Sequence, residues 1–457
     1  MASKSKAGMR PLLGKLLWLY LLLLIFEGAL RKWFLPQLSD PLLVARVPLT
    51  ALIYAMALAG GIFPRNGWTL GAVALAFVSF MTAIFFGHGN IFVATYGVLT
   101  SLFSIPLIFI IPRVWGADDL KRVVLFLMLL TIPMTILLAL QFYQPQSAWV
   151  NRGVGGVEGA GFTGALGRYR PPGTFSFTTG TVQFYQLVIA LFLAQLVHRR
   201  TIPMWLLYGV GICIPLAFFA SISRTLAVMA VFILVVTLAG MFFTGRKLGR
   251  LIYLVLGLLM FNGVAMQFDF YTDSADAFTA RWERATGEEK GGIQEAIFGR
   301  MWREVSRPFT EAGRVPFFGN GIGQGTQVGA RLLTGSRGFV FGEGEFWRIV
   351  AELGPPLGFA YILFRIGLAI HLGMTTLAAA RRGNLAPWVV FAATFFLLTI
   401  GQWSQQTTLG FAVFSAGLAY ALARHWTPKR KSRETRKTAD QQENLATPQP
   451  SPQRAIV

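Results

Sequence analysis

Arginine recurs in this chain where an anion would need holding. Arg168 and Arg170 end a glycine-rich stretch in the run Arg168-Tyr169-Arg170-Pro171-Pro172-Gly173-Thr174-Phe175, and Arg224 follows Ser223 between two apolar runs. Arg300 and Arg303 stand with Arg307 and Arg314 in a polar stretch, and Arg46 opens an apolar run behind Arg31 and Lys32. A guanidinium keeps its charge in any surroundings, and its planar fork gives a phosphate two parallel hydrogen bonds. The set therefore reads as an anion-binding surface. The competing reading is that each arginine pairs with a carboxylate, as the i, i+4 spacings of Glu27 with Arg31 and Arg348 with Glu352 allow. Carboxylates also gather in Gly342-Glu343-Gly344-Glu345-Phe346-Trp347-Arg348. Glu343 or Glu345, set at a membrane edge beside cations, can act as a general base toward a hydroxyl, and the alternative is a solvated turn.

Other chemistries are poorly supplied. Cys213 is the single cysteine and lies in an apolar run, which excludes an internal disulfide and a thiolate metal centre. His88, His198, His371 and His425 show no metal-binding spacing, and no Asp-x-Asp pair occurs, so no metal or cofactor is expected. Residues Gly153 to Gly167 are rich in glycine, which suits either an anion nest or a mobile loop. The run from Pro316 to Gly325 lacks the G-x-G-x-x-G order and a preceding strand, so it is not a dinucleotide loop.

The elements that position these residues are set by composition. The 457 residues are 54% hydrophobic and 13% charged, with mean hydropathy +0.55, against roughly 25% charged in soluble domains. That excludes an ordinary soluble enzyme. The net charge of +21 on so apolar a chain follows membrane topology rather than nucleic-acid binding. A bilayer core takes about 20 apolar residues per helix, and about twelve such runs occur, at 12–29, 41–63, 68–86, 91–112, 122–143, 181–197, 203–220, 225–243, 250–267, 347–373, 386–402 and 407–424. The first has a basic start but no cleavage pattern, which predicts a signal anchor.

Basic residues mark alternate connections: Arg65, the run Arg113 to Arg122, Arg199 and Arg200, Arg246 with Lys247 and Arg250, and Arg381 with Arg382. These loops and both termini are expected in the cytoplasm. The opposite set includes 87–90 and 403–406, which carry no Lys or Arg, and two long segments, 144–180 and 268–344. The expected fold is thus all-α: a transmembrane region over 1–267 with nine helices, an outer loop at 268–344, three more helices over 345–424, and a basic, disordered cytoplasmic tail at 425–457. Ile293, Ile297, Met301, Trp302 and Val305 recur at helical spacing, so the large loop is expected to contain amphipathic helices along the membrane surface.

In pattern and order, these features resemble the O-antigen ligase and O-antigen polymerase superfamily of bacterial surface-polysaccharide assembly. The resemblance is carried by Arg170 to Phe175 entering a span, Ser223-Arg224 between spans, and Arg300-Met301-Trp302 followed by Pro316, Gly319, Gly321 and Gly323. Ala351-Glu352-Leu353-Gly354 matches the end of a helix that in ligases often opens with His-Asn, but here Glu343 stands where that histidine would be. The resemblance implies a GT-C-like glycosyltransferase in the bacterial cytoplasmic membrane, acting at the outer face on undecaprenyl-pyrophosphate-linked oligosaccharide without metal or nucleotide sugar. It implies that Arg224, with Arg168, Arg170, Arg300, Arg303 and Arg46, binds the departing pyrophosphate, and that Glu343 or Glu345 deprotonates the acceptor. The partners it implies are the lipid-linked glycan, the bilayer, and other export or chain-length proteins. The missing histidine tilts the reading from ligase toward polymerase. A transporter or flippase also fits twelve spans, although the longest loop lies between spans nine and ten and no internal repeat is visible. A non-catalytic scaffold is the third alternative.

Overall fold

Where water is absent, helix is the open-chain conformation that satisfies every backbone N–H and C=O internally, so the apolar runs fold as helices. The computed structural model describes residues 2–197, 201–246, 249–287, 292–295, 299–335, 341 and 344–425. The predicted tail from residue 426 onward, and Glu343, lie outside the described residues. Among the described residues the architecture is all-α apart from one antiparallel pair of two-residue strands, β1 (Phe162–Thr163) and β2 (Tyr169–Arg170).

Among the described residues, seven helices are long and apolar enough to cross a membrane, as a multi-pass membrane protein requires. They are Met9–Phe34, Gly67–Phe85, Ala117–Tyr143, Thr178–Val197, Arg224–Phe243, Glu345–Arg381 and Gln406–His425. An eighth results if Pro36–Leu43 and Arg46–Ala59, bent by 43°, count as one span. Other expected spans coincide with shorter apolar helices, Ile91–Ser101, Met204–Ala220 and Ala386–Thr399. The run 91–112 shows why hydropathy overstates length. Its first helix stops at Ser101 and the next, Leu107–Val114, begins after Pro106, whose ring removes a backbone donor and constrains the residue before it. Helix starts are set by polar caps: the Asn66 side chain accepts from Thr69 N at 2.8 Å, and that of Asn90 from Phe92 N at 3.0 Å.

Thr178–Val197 and Gln406–His425 form the centre of the bundle and are buried along nearly their whole length. The outward surface is apolar, with Phe77, Phe85, Trp205, Tyr208, Val231, Leu363 and Met374 all exposed, as a lipid-facing belt would be. Connections cluster in the two sets that the charge alternation separates. Arg113 Nη1 donates to Ile62 O and Phe63 O, His425 Nε2 lies 2.7 Å from Pro112 O, and Arg246 bonds to Val197 O and Gly383 O. In the other set, Arg31 reaches Ser176, Phe219 packs on Tyr271, and Thr179 meets Gln405.

The longest helix is in fact two. Gly354 has φ +75° and ψ 165°, a conformation helices exclude and L side chains rarely adopt, and Pro355 and Pro356 follow. In a straight helix, Glu345 and Arg365 would stand about 30 Å apart at 1.5 Å rise per residue. Their side chains meet at 2.6 Å, so the arm 345–353 folds back against the arm from Pro355 onward. The Pro316 to Gly325 run fills that break: Asn320 N and Gly321 N donate to Ala351 O and Glu352 O, and Gly325 N to Glu352 Oε1 at 2.7 Å. The run is a packing wedge. Within 268–344 the expected helices include Asp269–Thr286, Arg300–Glu311 and Gln327–Thr334, and Met301, Trp302, Val305 and Phe309 leave an apolar face exposed. Ile297 lies outside the described residues.

Candidate functional site

Arg170 ends the β1–β2 hairpin, paired with Phe162 across the strands. The hairpin closes through Leu166 and Gly167, both at positive φ, with Gly164 N donating to Arg168 O at 3.1 Å. Pro171 and Pro172 have no N–H to continue the ladder. The chain turns at Gly173, φ +59°, and enters Thr178–Val197.

Gly173 is gripped from two elements. The Gln141 amide accepts from its N–H at 2.8 Å and donates to its C=O at 3.2 Å, and Lys32 Nζ donates to the same carbonyl at 2.6 Å. Thr174 Oγ1 donates to Ile25 O at 2.7 Å, and Arg31 bonds to Ser176 Oγ at 3.1 Å. The end of the first helix thus holds the segment carrying Arg170. Gly28 makes the approach possible, because a Cβ there would sit 2.3 Å from Ser176 N and 2.5 Å from Thr174 O.

Arg224 is placed by a cap and a strained turn. Ser223 Oγ accepts from Leu226 N at 3.3 Å to start Arg224–Phe243, and the preceding Ile222 has φ +46°. Positive φ is costly for a β-branched residue and persists only when packing over-determines it. Ile222 is fully buried against Phe142 and Ala277.

The charges that act on Arg170 are positive. Burial, then the guanidiniums of Arg281 and Arg224, lower its pKa to about 10. Among the described residues no carboxylate pairs with Arg170, and its Nε is buried without a hydrogen-bond partner. Arg281, on Asp269–Thr286, donates to Thr163 O at 2.9 Å, and burial followed by Arg224 and Arg284 lowers its pKa too. Arg170 also borders a cavity of about 280 Å³ walled by Lys32, Gln146, Arg152, Phe162 and Tyr169. A half-buried cation without a counterion is costly, and an anion at this end of the bundle would offset that cost.

The other expected site residues divide by partner. Arg168 pairs with Asp273 at 2.8 Å and lies over the Phe142 and Tyr143 rings. Arg303 is exposed and paired with Glu295. Arg300 opens its helix, and its side chain lies outside the described residues. Arg46 is buried and bonded to Glu27 at 3.2 Å, while Glu27 also takes Arg31 at 3.5 Å, which is the pairing that the i, i+4 spacing allowed. Glu345 is 1% exposed, and its oxygens accept from Arg348 at 2.9 and 3.0 Å, Arg365 at 2.6 Å and Trp403 N at 3.1 Å. Arg348 also bonds to Glu352 at 2.7 Å. Glu345 is thus the counterion of two arginines, and the geometry leaves it no free edge for a hydroxyl.

Sequence reasoning missed Arg281 and the cavity wall. Arg281 and Arg284 form an i, i+3 basic pair inside a segment read as outer, which was a usable signal. Nothing in the spacing foretold that Gln141 would brace Gly173. Among the described residues no cluster of His, Cys, Asp or Glu could hold a metal ion. No protein-family model matches the chain, and no curated protein does.

Proposed function

We propose that this is a membrane glycosyltransferase of O-antigen or exopolysaccharide assembly, with twelve passes in a GT-C-like arrangement, joining polyprenyl-pyrophosphate-linked repeat units at the outer face of the bacterial cytoplasmic membrane. The supporting observation is Arg170, a half-buried cation with an unbonded Nε, no carboxylate, and two further arginines acting on it. Arg170, Arg224 and Arg281 face the diphosphate of the donor. As the bond from the anomeric carbon to the diphosphate oxygen breaks, these guanidiniums take up the charge on the leaving group. The acceptor hydroxyl oxygen forms the new bond to that carbon, and its proton passes to Glu343, since Glu345 is engaged by Arg348 and Arg365. Donor and acceptor both reach the site from the membrane.

The test follows lipid-linked glycans and surface polysaccharide in a deletion strain carrying wild-type, Arg170→Gln or Glu343→Gln protein. Single repeat units building up on the lipid, with long chains lost, mark a polymerase. Long lipid-linked chains building up without transfer mark a ligase. Normal polysaccharide with Arg170→Gln, at normal protein level, overturns the proposal.

A further inference from the structure

The cavity beside Arg170 is lined by two further basic side chains, Lys32 and Arg152. Lys32 is 2% exposed and lines the wall, and one of its three N–H donors goes to Gly173 O while no carboxylate pairs with it among the described residues. Arg152 lines the same wall; its Nη2 goes to Glu158 at 3.0 Å, and its Nε is buried without a partner. Arg170 stands on the same wall. Among the described residues no carboxylate lines it.

The rest of the wall has the chemistry of a sugar site. Phe162 and Tyr169 offer ring faces, Pro171 and Pro172 an apolar floor, and Gln146 an Oε1 that is buried without a donor. Gly161 gives that amide its place, because a Cβ there would lie 1.7 Å from Gln146 Oε1. At about 280 Å³ the cavity admits one pyranose with its substituents rather than a whole repeat unit.

We infer that this cavity binds an acidic sugar, a pyranose bearing a carboxylate, with the acid group at Lys32 and Arg152 and the anomeric end toward Arg170. The inference rests on the glycosyltransferase reading and deepens it by naming the glycan class: the lipid-linked unit carries a uronic-acid-type residue next to its diphosphate. A carboxylate offers acceptors both to the remaining Lys32 donors and to Arg152 Nε, and forms stronger bonds with them than a neutral hydroxyl does.

The test uses the full chain in lipid nanodiscs and two probes, a glucuronate-containing disaccharide and its carboxyl-reduced counterpart, with binding read by calorimetry or saturation-transfer NMR. The acid is expected to bind about tenfold more tightly or better, the scale of one charged hydrogen bond. Arg152→Gln, at the more exposed side of the wall, and Lys32→Met should each bring the two affinities together. Arg152 keeps the test decisive if Lys32→Met fails to fold, since Lys32 also braces Gly173. Equal binding of the two probes to wild type overturns the inference. So does a loss of inorganic pyrophosphate affinity in Arg152→Gln as large as the loss for the uronate, which makes this wall a phosphate site. If either occurs while Arg170→Gln still abolishes glycan assembly, the acidic-sugar assignment alone falls. If Arg170→Gln is also without effect, the glycosyltransferase reading falls with it.

Discussion

Replacing Glu345 with glutamine separates a counterion from a base. Two glutamates, Glu345 and Glu352, and two arginines, Arg348 and Arg365, form one buried network with no net charge. All four are 3% exposed or less. Glu345→Gln leaves Arg348 with Glu352 and Arg365 with no carboxylate, a buried excess of one positive charge. Breaking a buried pair from one side costs about 3–5 kcal/mol, a large fraction of a total stability of about 5–15 kcal/mol. Arg365→Met should be comparably harmful, because it leaves Glu345 in excess and removes the donors to Leu398 O and Gly401 O. The double variant restores neutrality around Arg348 and Glu352, so its loss should fall short of the sum of the single losses by about 1–3 kcal/mol. Thermal denaturation of detergent-purified protein, followed by size-exclusion recovery, reads all three. A Glu345→Gln protein that melts like wild type yet assembles no glycan would refute the counterion assignment and return the base role to Glu345.

Three further outcomes follow from the same geometry. Gly28→Val should displace the Thr174–Ser176 backbone and lose activity together with thermal stability, whereas Gly14→Ala, with open space around it, should change neither. Arg168→Ala breaks a half-exposed pair with Asp273, so its stability change in the same assay should stay within about 0–1 kcal/mol. Glu304 accepts from Phe346 N at 2.9 Å, and burial, with Glu345 adding to it, raises its pKa. Between the ordinary carboxylate range and that raised value the folded protein binds more protons than the unfolded chain, so stability must fall as pH rises through this window. Glu304→Gln should flatten the melting temperature across it.

Hydropathy is a sound guide to where helices run because the backbone has no alternative in lipid. It is a poor guide to where they stop. Ser101 and Gly354 end helices inside apolar runs, and only the local chemistry of proline and of positive φ marks the places. The arginines show the same division. Charge bias separated two sets of loops, and Arg170 and Arg224 do come together at one end, because both sit where a polar turn leads into a helix. Arg46 is of the same residue type in a similar sequence setting, yet it is locked in a buried pair with Glu27, as Glu345 is with Arg365. Arg31 with Glu27 and Arg348 with Glu352 were legible because their spacing is one helical turn. Arg46 with Glu27 and Arg365 with Glu345 were not, since each partner arrives from another helix or across a fold in the chain. What marks Arg170 is therefore a relation no spacing encodes: among the described residues the fold gives Arg46 and Arg168 a carboxylate each and gives Arg170 none.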